Sequence, residues 1–149
     1  MIESRLEFRV RYAETDQMGV VYHANYLVWC EMGRTDLLRQ LGATYAELER
    51  QGVFLAVSDA RMRLRGSVRY DDLVHVRTRL SRLRTRSVLF SYVVEHADGR
   101  GVLAEVETEL ICLNSGRSPR KLPAALRERL RRALAPVAAE GTTDVLSGV

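Results

Sequence analysis

Lysine is almost absent from this chain: Lys121 is the only one in 149 residues, so arginine carries nearly all of the positive charge. Arginine's planar fork suits phosphate and carboxylate groups. With a net charge of +4 it points to an anionic partner, and a plain solvated basic surface is the competing reading. Cysteine is scarce too. Cys30 and Cys112 stand far apart in apolar surroundings, without the spacing of a metal site or a redox pair. They read as reduced core residues of a cytoplasmic protein. Residues 1–8 are charged and carry no apolar run, so no signal peptide is expected. No stretch approaches the length of a membrane span, so no membrane insertion is expected either. The histidines and carboxylates never cluster at metal-ligand spacing, so no metal is expected. There is no internal repeat and no linker, which leaves a single domain over residues 1–140 and a small-residue tail, 141–149, read as disordered.

What is present is enough apolar residue, 46%, for a real core. Leu6 to Tyr12 alternates, with Leu6, Phe8, Val10 and Tyr12 on one face, and predicts a half-buried strand. A helix follows from an N-cap at Asn25 to about Leu41, with Tyr26, Cys30, Gly33, Leu37 and Leu41 on one stripe. Leu27, Val28, Trp29 and Leu38 widen that stripe almost all round, which predicts a buried helix. Gly42 ends it. Thr44 and Glu47 read as the capping box of a short second helix closed by Gly52. Four strands come next: Val53 to Arg65, Leu73 to Leu80, Val88 to Glu95 and Val102 to Leu113. Asp98-Gly99 marks a hairpin turn. The strands place Arg61, Arg63 and Arg65 opposite in sense to Glu105, Glu107 and Glu109, as expected of cross-strand pairs on a wet sheet face. Pro123, at N1, opens a last helix that carries Leu126, Leu130, Leu134 and Val137 on one face. Consecutive strands joined by short turns predict an antiparallel sheet, and one apolar helix needs such a sheet to cover it.

Between the first strand and the long helix lies the stretch that carries chemistry, Tyr12-Ala13-Glu14-Thr15-Asp16-Gln17-Met18-Gly19-Val20-Val21-Tyr22-His23-Ala24-Asn25-Tyr26. Asp16 offers a nucleophile or a general base. Gly19 permits a tight backbone turn. The peptide N–H groups entering the helix near His23 to Tyr26 lack intrahelical acceptors and suit a developing oxyanion. A turn-forming role is the plain alternative for Asp16.

This stretch resembles the signature of hotdog-fold acyl-CoA thioesterases, in the branch of the 4-hydroxybenzoyl-CoA and Tol–Pal-associated enzymes, and the likeness extends more loosely to about Pro123. The resemblance implies an α+β hotdog fold, a five-stranded antiparallel sheet wrapped around a long central helix. It implies hydrolysis of an acyl-CoA thioester to a free acid and coenzyme A, without a metal or any other cofactor. It makes Asp16 the catalytic carboxylate and His23 the backbone oxyanion donor beside Gly19, with an imidazole contribution secondary. Tyr22 and Asn25 border the substrate, with packing and capping as their structural work. Trp29-Cys30-Glu31 matches an aromatic-X-Glu pattern, with Glu31 read as a buried structural carboxylate for which a partner across a subunit interface is one option. Tyr70-Asp71-Asp72-Leu73 matches a turn into the third strand. Arg84 and Arg86 match the segment that grips coenzyme A phosphates, a solvated turn being the alternative, and Arg117 or Arg120 are the substitutes for that role. A homodimer or homotetramer is implied, and no nucleic-acid partner. The rival readings are a hotdog dehydratase acting on acyl carrier protein, which ordinarily needs a histidine with its carboxylate, and a non-catalytic acyl-CoA-binding module.

Overall fold

The computed structural model describes residues 2–134. The expected tail, 141–149, and Val137 lie outside the described residues. Five strands, β1 (Glu3–Arg9), β2 (Phe54–Leu64), β3 (Leu73–Leu83), β4 (Ser87–His96) and β5 (Val102–Leu113), form one sheet in the order β1-β3-β4-β5-β2. Every neighbouring pair is antiparallel. The long helix α1 (Ala24–Gln40) lies across one face of the sheet, with α2 (Tyr45–Arg50) after it and α3 (Ala124–Ala133) beyond β5. This is the α+β hotdog arrangement.

The inner stripe of α1 is buried as its spacing requires: Tyr26, Trp29, Cys30, Gly33, Leu37 and Leu38 pack against Val74, Val76, Phe90, Tyr92 and Leu110 of the sheet. Trp29 meets Phe8 and Tyr26 edge-on, with ring centroids 5.2 and 5.3 Å apart. At Gly33 the helix lies close against the sheet. A Cβ there would overlap the Thr78 hydroxyl and stand 3.3 Å from Val76 Cγ1. At the end of α1, Gly42 adopts φ +80°, its N–H donates to Arg39 O, and the Ala43 N–H donates to Leu38 O. These are the two bonds of a Schellman cap. Thr44 Oγ1 accepts the Glu47 N–H at 3.2 Å, which starts α2.

Several expectations are corrected. β1 stops at Arg9, so Tyr12 leaves the apolar face and stands 77% exposed in a short 3-10 turn. Asn25 is not the N-cap of α1. His23 is, and the Asn25 side chain donates instead to Glu14 O at 2.9 Å. The outer side of α1 is open: Leu27, Val28 and Met32 are exposed, and so is Glu31, which was expected to be buried. The alternation on β2 sets Ala60, Met62 and Leu64 opposite to Arg61 and Arg63, yet on this edge strand only Met62 is half-buried. Pro123 is the N-cap of α3, one place before the expected N1; Leu126 and Leu130 are buried below it.

On the outer sheet face Arg77 pairs with Glu95 at 2.9 Å, Arg79 with Glu3 at 2.8 Å and Arg65 with Glu105 at 2.8 Å. Arg61 and Arg63 stand in register with Glu107 and Glu105. Among the described residues one cation is inside. Arg34 of α1 is buried, and donates from Nε to the Tyr45 hydroxyl at 2.7 Å and from Nη1 to the Tyr92 hydroxyl at 3.0 Å. Those bonds tie α1 to α2 and to the sheet and offset the desolvation of the guanidinium. Burial in turn pushes the Tyr92 hydroxyl up to about 12, although the guanidinium beside it pulls the other way.

Candidate active site

After β1 the chain crosses to the start of β3: Val10 N–H donates to Asp72 O and Asp71 N–H to Val10 O, both at 2.9 Å. A 3-10 turn, Tyr12–Glu14, then leads into a tight hairpin. Thr15 bridges Val21, the Asp16 N–H donates to Val20 O at 2.8 Å, and the Gly19 N–H donates to Asp16 O at 2.9 Å. Gly19 closes this turn at φ +81°, a conformation that costs any residue with a Cβ. The returning arm is fastened to the body of the protein, Val20 bridging Arg69 and the Val21 N–H donating to Val68 O.

Asp16 is half-buried on this hairpin. Its Oδ1 accepts the Met18 N–H at 2.8 Å, an Asx-type bond. The turn-forming role is therefore real. It occupies one carboxylate oxygen and orients the second, which has no hydrogen-bond donor among the described residues.

Seven residues on, the chain reaches the N-cap of α1, and the donors there can be counted. The Tyr22 N–H donates to Glu14 O at 2.9 Å, the Asn25 N–H to Tyr22 O at 2.9 Å and the Tyr26 N–H to His23 O at 3.1 Å. Of the four N–H groups expected to be free, from His23 to Tyr26, two remain without an acceptor among the described residues: those of His23 and Ala24. They sit at the positive end of a 17-residue helix. The His23 side chain is exposed, and its ring lies 4.7 Å from that of Tyr22. It makes no hydrogen bond to Asp16. Tyr12, Met18, Tyr22 and Tyr70 form an exposed apolar rim around the hairpin, Tyr12 and Tyr70 meeting edge-on at 5.5 Å.

The residue missed by sequence reasoning is Glu14. Its carboxylate is buried, accepting the Arg11 N–H on Oε1 at 2.8 Å and the Trp29 indole N–H on Oε2 at 2.7 Å. Burial raises its affinity for a proton, but the Trp29 and Arg11 donors outweigh burial and hold the carboxyl below its ordinary value. The only sequence signal was a carboxylate inside a turn next to an apolar helix, which resembles any surface acid.

The arginine loop lies elsewhere. β1 pairs Arg9 with Leu73 and Glu3 with Arg79, so the Asp16 hairpin stands at the first residue of β3. Arg84 and Arg86 follow its last residue and are exposed. Eleven strand residues separate the two ends, about 35 Å at the usual rise. Tyr22 and Asn25 are at the hairpin; Arg84 and Arg86 of the same chain are not. Arg117 is at the far end as well, beyond β5, next to the loop whose Leu122 N–H donates to Thr85 O. Among the described residues no group of His, Cys, Asp and Glu could hold a metal ion, and no helix is long and apolar enough to cross a membrane.

Residues 10–133 match the model of the thioesterase-like superfamily. Acyl-CoA thioester hydrolase YbgC of Escherichia coli is 30% identical over 82% of this chain and 91% of its own length. A DHNA-CoA thioesterase from Staphylococcus aureus superposes with a TM-score of 0.83 at 33% identity, covering 89% of this chain and 91% of its own. The hypothetical protein TT1821 from Thermus thermophilus gives the same TM-score at 37% identity, covering 91% of this chain and all of its own. A carboxylate on a braced hairpin, two free N–H groups at a helix start and a sheet-wrapped helix thus occur together in a chain that belongs to the thioesterase-like superfamily, a hotdog-fold enzyme of the thioester-hydrolase class.

Proposed function

We propose that this enzyme hydrolyses an acyl-CoA thioester, releasing a free carboxylic acid and coenzyme A. The observation that carries the reading is the Asp16 hairpin, whose outgoing arm runs directly into the unpaired N–H groups of His23 and Ala24. Asp16 attacks the thioester carbon, or takes a proton from the water that does. The negative charge that develops on the carbonyl oxygen is met by those two donors and the helix dipole. The C–S bond then breaks, and the thiolate leaves as coenzyme A, taking up the proton that water supplies; where Asp16 itself was the nucleophile, a water molecule next hydrolyses the acyl–Asp16 anhydride, releasing the free acid and restoring the carboxylate. Each step uses groups of the chain and water, so no metal or other cofactor is required. His23 contributes through its backbone, and its exposed imidazole beside Tyr22 is free to relay protons to solvent. Gly19 keeps the backbone close to the acyl group, and Tyr22 and Asn25 border it. A dehydratase would need a histidine held by its carboxylate, and among the described residues the histidine–carboxylate ion pair is His75–Glu7, on the outer sheet face.

The site is completed by a second copy of the chain. Arg84 and Arg86 suit the phosphates of coenzyme A but stand beyond the opposite end of β3 from the Asp16 hairpin of their own chain. α1 runs from the Asp16 end of the sheet toward the arginine end, as its contacts Trp29–Phe8 and Asp36–Ser4 require. Two copies of α1 packed antiparallel would therefore bring each arginine loop beside the other copy's hairpin. The open side of α1 is built for that. Val28, Glu31, Met32, Thr35 and Arg39 form one open face of the helix. About a two-fold axis at Thr35, Glu31 of one copy faces Arg39 of the other. A homo-oligomer, at least a dimer, follows, and the two buried thiols, Cys30 and Cys112, fit a reducing, cytoplasmic setting.

The test is thiol release from acyl-CoA substrates by the wild type and by Asp16→Asn. The variant keeps the size and loses the charge, and a loss of about a hundredfold or more is expected, the scale of a positioned acid–base group. Near-normal turnover in a folded variant would refute the assignment. Tight acyl-CoA binding without thiol release by the wild type would make the protein a binding module.

A further inference from the structure

We propose that Glu14 is a positioning residue that sets the distance between the Asp16 carboxylate and the oxyanion donors at His23 and Ala24, an assignment that rests on the catalytic reading of Asp16. Glu14 lies two residues before Asp16, and it is bonded to the start of α1 at three points. Its carbonyl accepts the Tyr22 N–H and the Asn25 Nδ2, each at 2.9 Å. These two residues flank the unpaired pair, His23 and Ala24, on either side. Its carboxylate reaches one turn further and accepts the Trp29 indole N–H at 2.7 Å. The opposite oxygen accepts the Arg11 N–H at 2.8 Å, which ties the same side chain to the end of β1. The hairpin that carries Asp16 and the helix end that carries the donors are thus joined through one buried residue.

The chemistry requires a carboxylate at this position. Both oxygens of Glu14 receive an N–H. An amide of the same shape has one acceptor, and its NH₂ would face either the Arg11 or the Trp29 donor. Glutamine therefore preserves volume and packing while forcing one of the two bonds open. A shift of about 1 Å between reacting groups can cost on the order of a hundredfold in rate while leaving binding determinants elsewhere in place.

The experiment compares Glu14→Gln and Trp29→Phe with the wild type in the thiol-release assay, with Asp16→Asn as the reference. Trp29→Phe keeps an aromatic ring against Phe8 and Tyr26 and deletes the indole N–H. Both variants are expected to lose roughly ten- to a hundredfold in kcat with KM within about threefold, a split that follows from misplaced reacting groups. The double variant is expected to be little worse than either single one, since both loosen the same link from β1 through Glu14 to α1. Trp29 is the only tryptophan in the chain, so its emission reports the bond directly and should shift in Glu14→Gln. Leu37→Ala, in the core at the far end of the same helix, controls for lost stability: it should melt lower and keep its kcat. The proposal is overturned if Glu14→Gln shifts the emission yet keeps kcat within twofold, if KM rises in step with the fall in kcat, or if the two single effects multiply. Should Glu14→Gln fail to fold, Trp29→Phe decides by the same kcat criterion. If Asp16→Asn is inactive and the Glu14 and Trp29 variants are normal, only the positioning role falls; if Asp16→Asn is active, the catalytic reading falls first.

Discussion

Replacing Gly33 by alanine sets two well-characterised effects against each other, and the structure decides the sign. Gly33 is inside α1, where alanine is favoured over glycine by about 1 kcal/mol on helix propensity alone. A reading of the helix in isolation therefore expects Gly33→Ala to stabilise. The tertiary contact opposes it. The new Cβ would overlap the Thr78 hydroxyl and press on Val76 Cγ1 at 3.3 Å, both on β3, a central strand that cannot yield without moving β1 and β4. Overpacking of that kind costs typically 1–3 kcal/mol, and a hard overlap against a sheet belongs at the upper end. Subtracting the propensity gain leaves a net loss of about 2 kcal/mol, which lowers the melting temperature of a chain this size by about 4–8 °C. Thermal unfolding followed by circular dichroism at one fixed protein concentration measures it. A second variant isolates the cause. Thr78 Oγ1 is buried without a hydrogen-bond partner, so Thr78→Ala removes the obstacle without breaking a bond. Adding it to Gly33→Ala should recover most of the lost stability. A melting temperature that is unchanged or raised in Gly33→Ala alone would refute the close approach of α1 to β3.

Replacing Arg84 and Arg86 together by alanine should raise KM for acyl-CoA roughly ten- to thirtyfold, from about 1 kcal/mol per exposed ion pair, with a smaller change in kcat. A short thioester lacking the nucleotide should be indifferent, and equal losses on both substrates would move the phosphate role to Arg117 or Arg120. On the outer side of α1, Glu31→Arg and Arg39→Glu should each weaken self-association about tenfold or more by placing like charges across the two-fold axis, while the double swap restores it. Sedimentation velocity reads the result, and a double variant as weak as the singles would sink the α1 pairing. Glu14 binds its proton less tightly folded than unfolded, its folded value lying below the ordinary 4.5. It therefore contributes stability that is present above pH 4.5 and lost as the pH falls through the folded value. Wild type should lose stability through that acid range more steeply than Glu14→Gln, as denaturant midpoints measured across it would show.

Much of this molecule is decided locally. The alternation of apolar residues, the 3.6-residue stripe of α1 and the Thr44 and Gly42 caps each act within a few residues, so the strands, helices and turns can be read from composition and spacing alone. The hairpin that presents Asp16 is of this kind, since its Asx bond, its Gly19 turn and its return at Val20 all lie within six residues. Periodicity says which face of an element is apolar, but not what will cover it. For that reason the outer side of α1 read as buried, although only the inner stripe meets this chain's own sheet. The identity of buried polar partners was equally out of reach. Glu14 finds Trp29 fifteen residues away, and Arg34 finds Tyr92 fifty-eight residues away. Those pairings exist because a desolvated charge must take whichever donors or acceptors the packed chain brings beside it. The position of Arg84 and Arg86 was likewise settled by strand register, which places them at the far end of β3 from Asp16. Local propensity shaped the hairpin that carries Asp16; the satisfaction of buried polar groups, which only the folded sheet and helix could arrange, determined what holds it in place, and strand register determined how far it stands from Arg84 and Arg86.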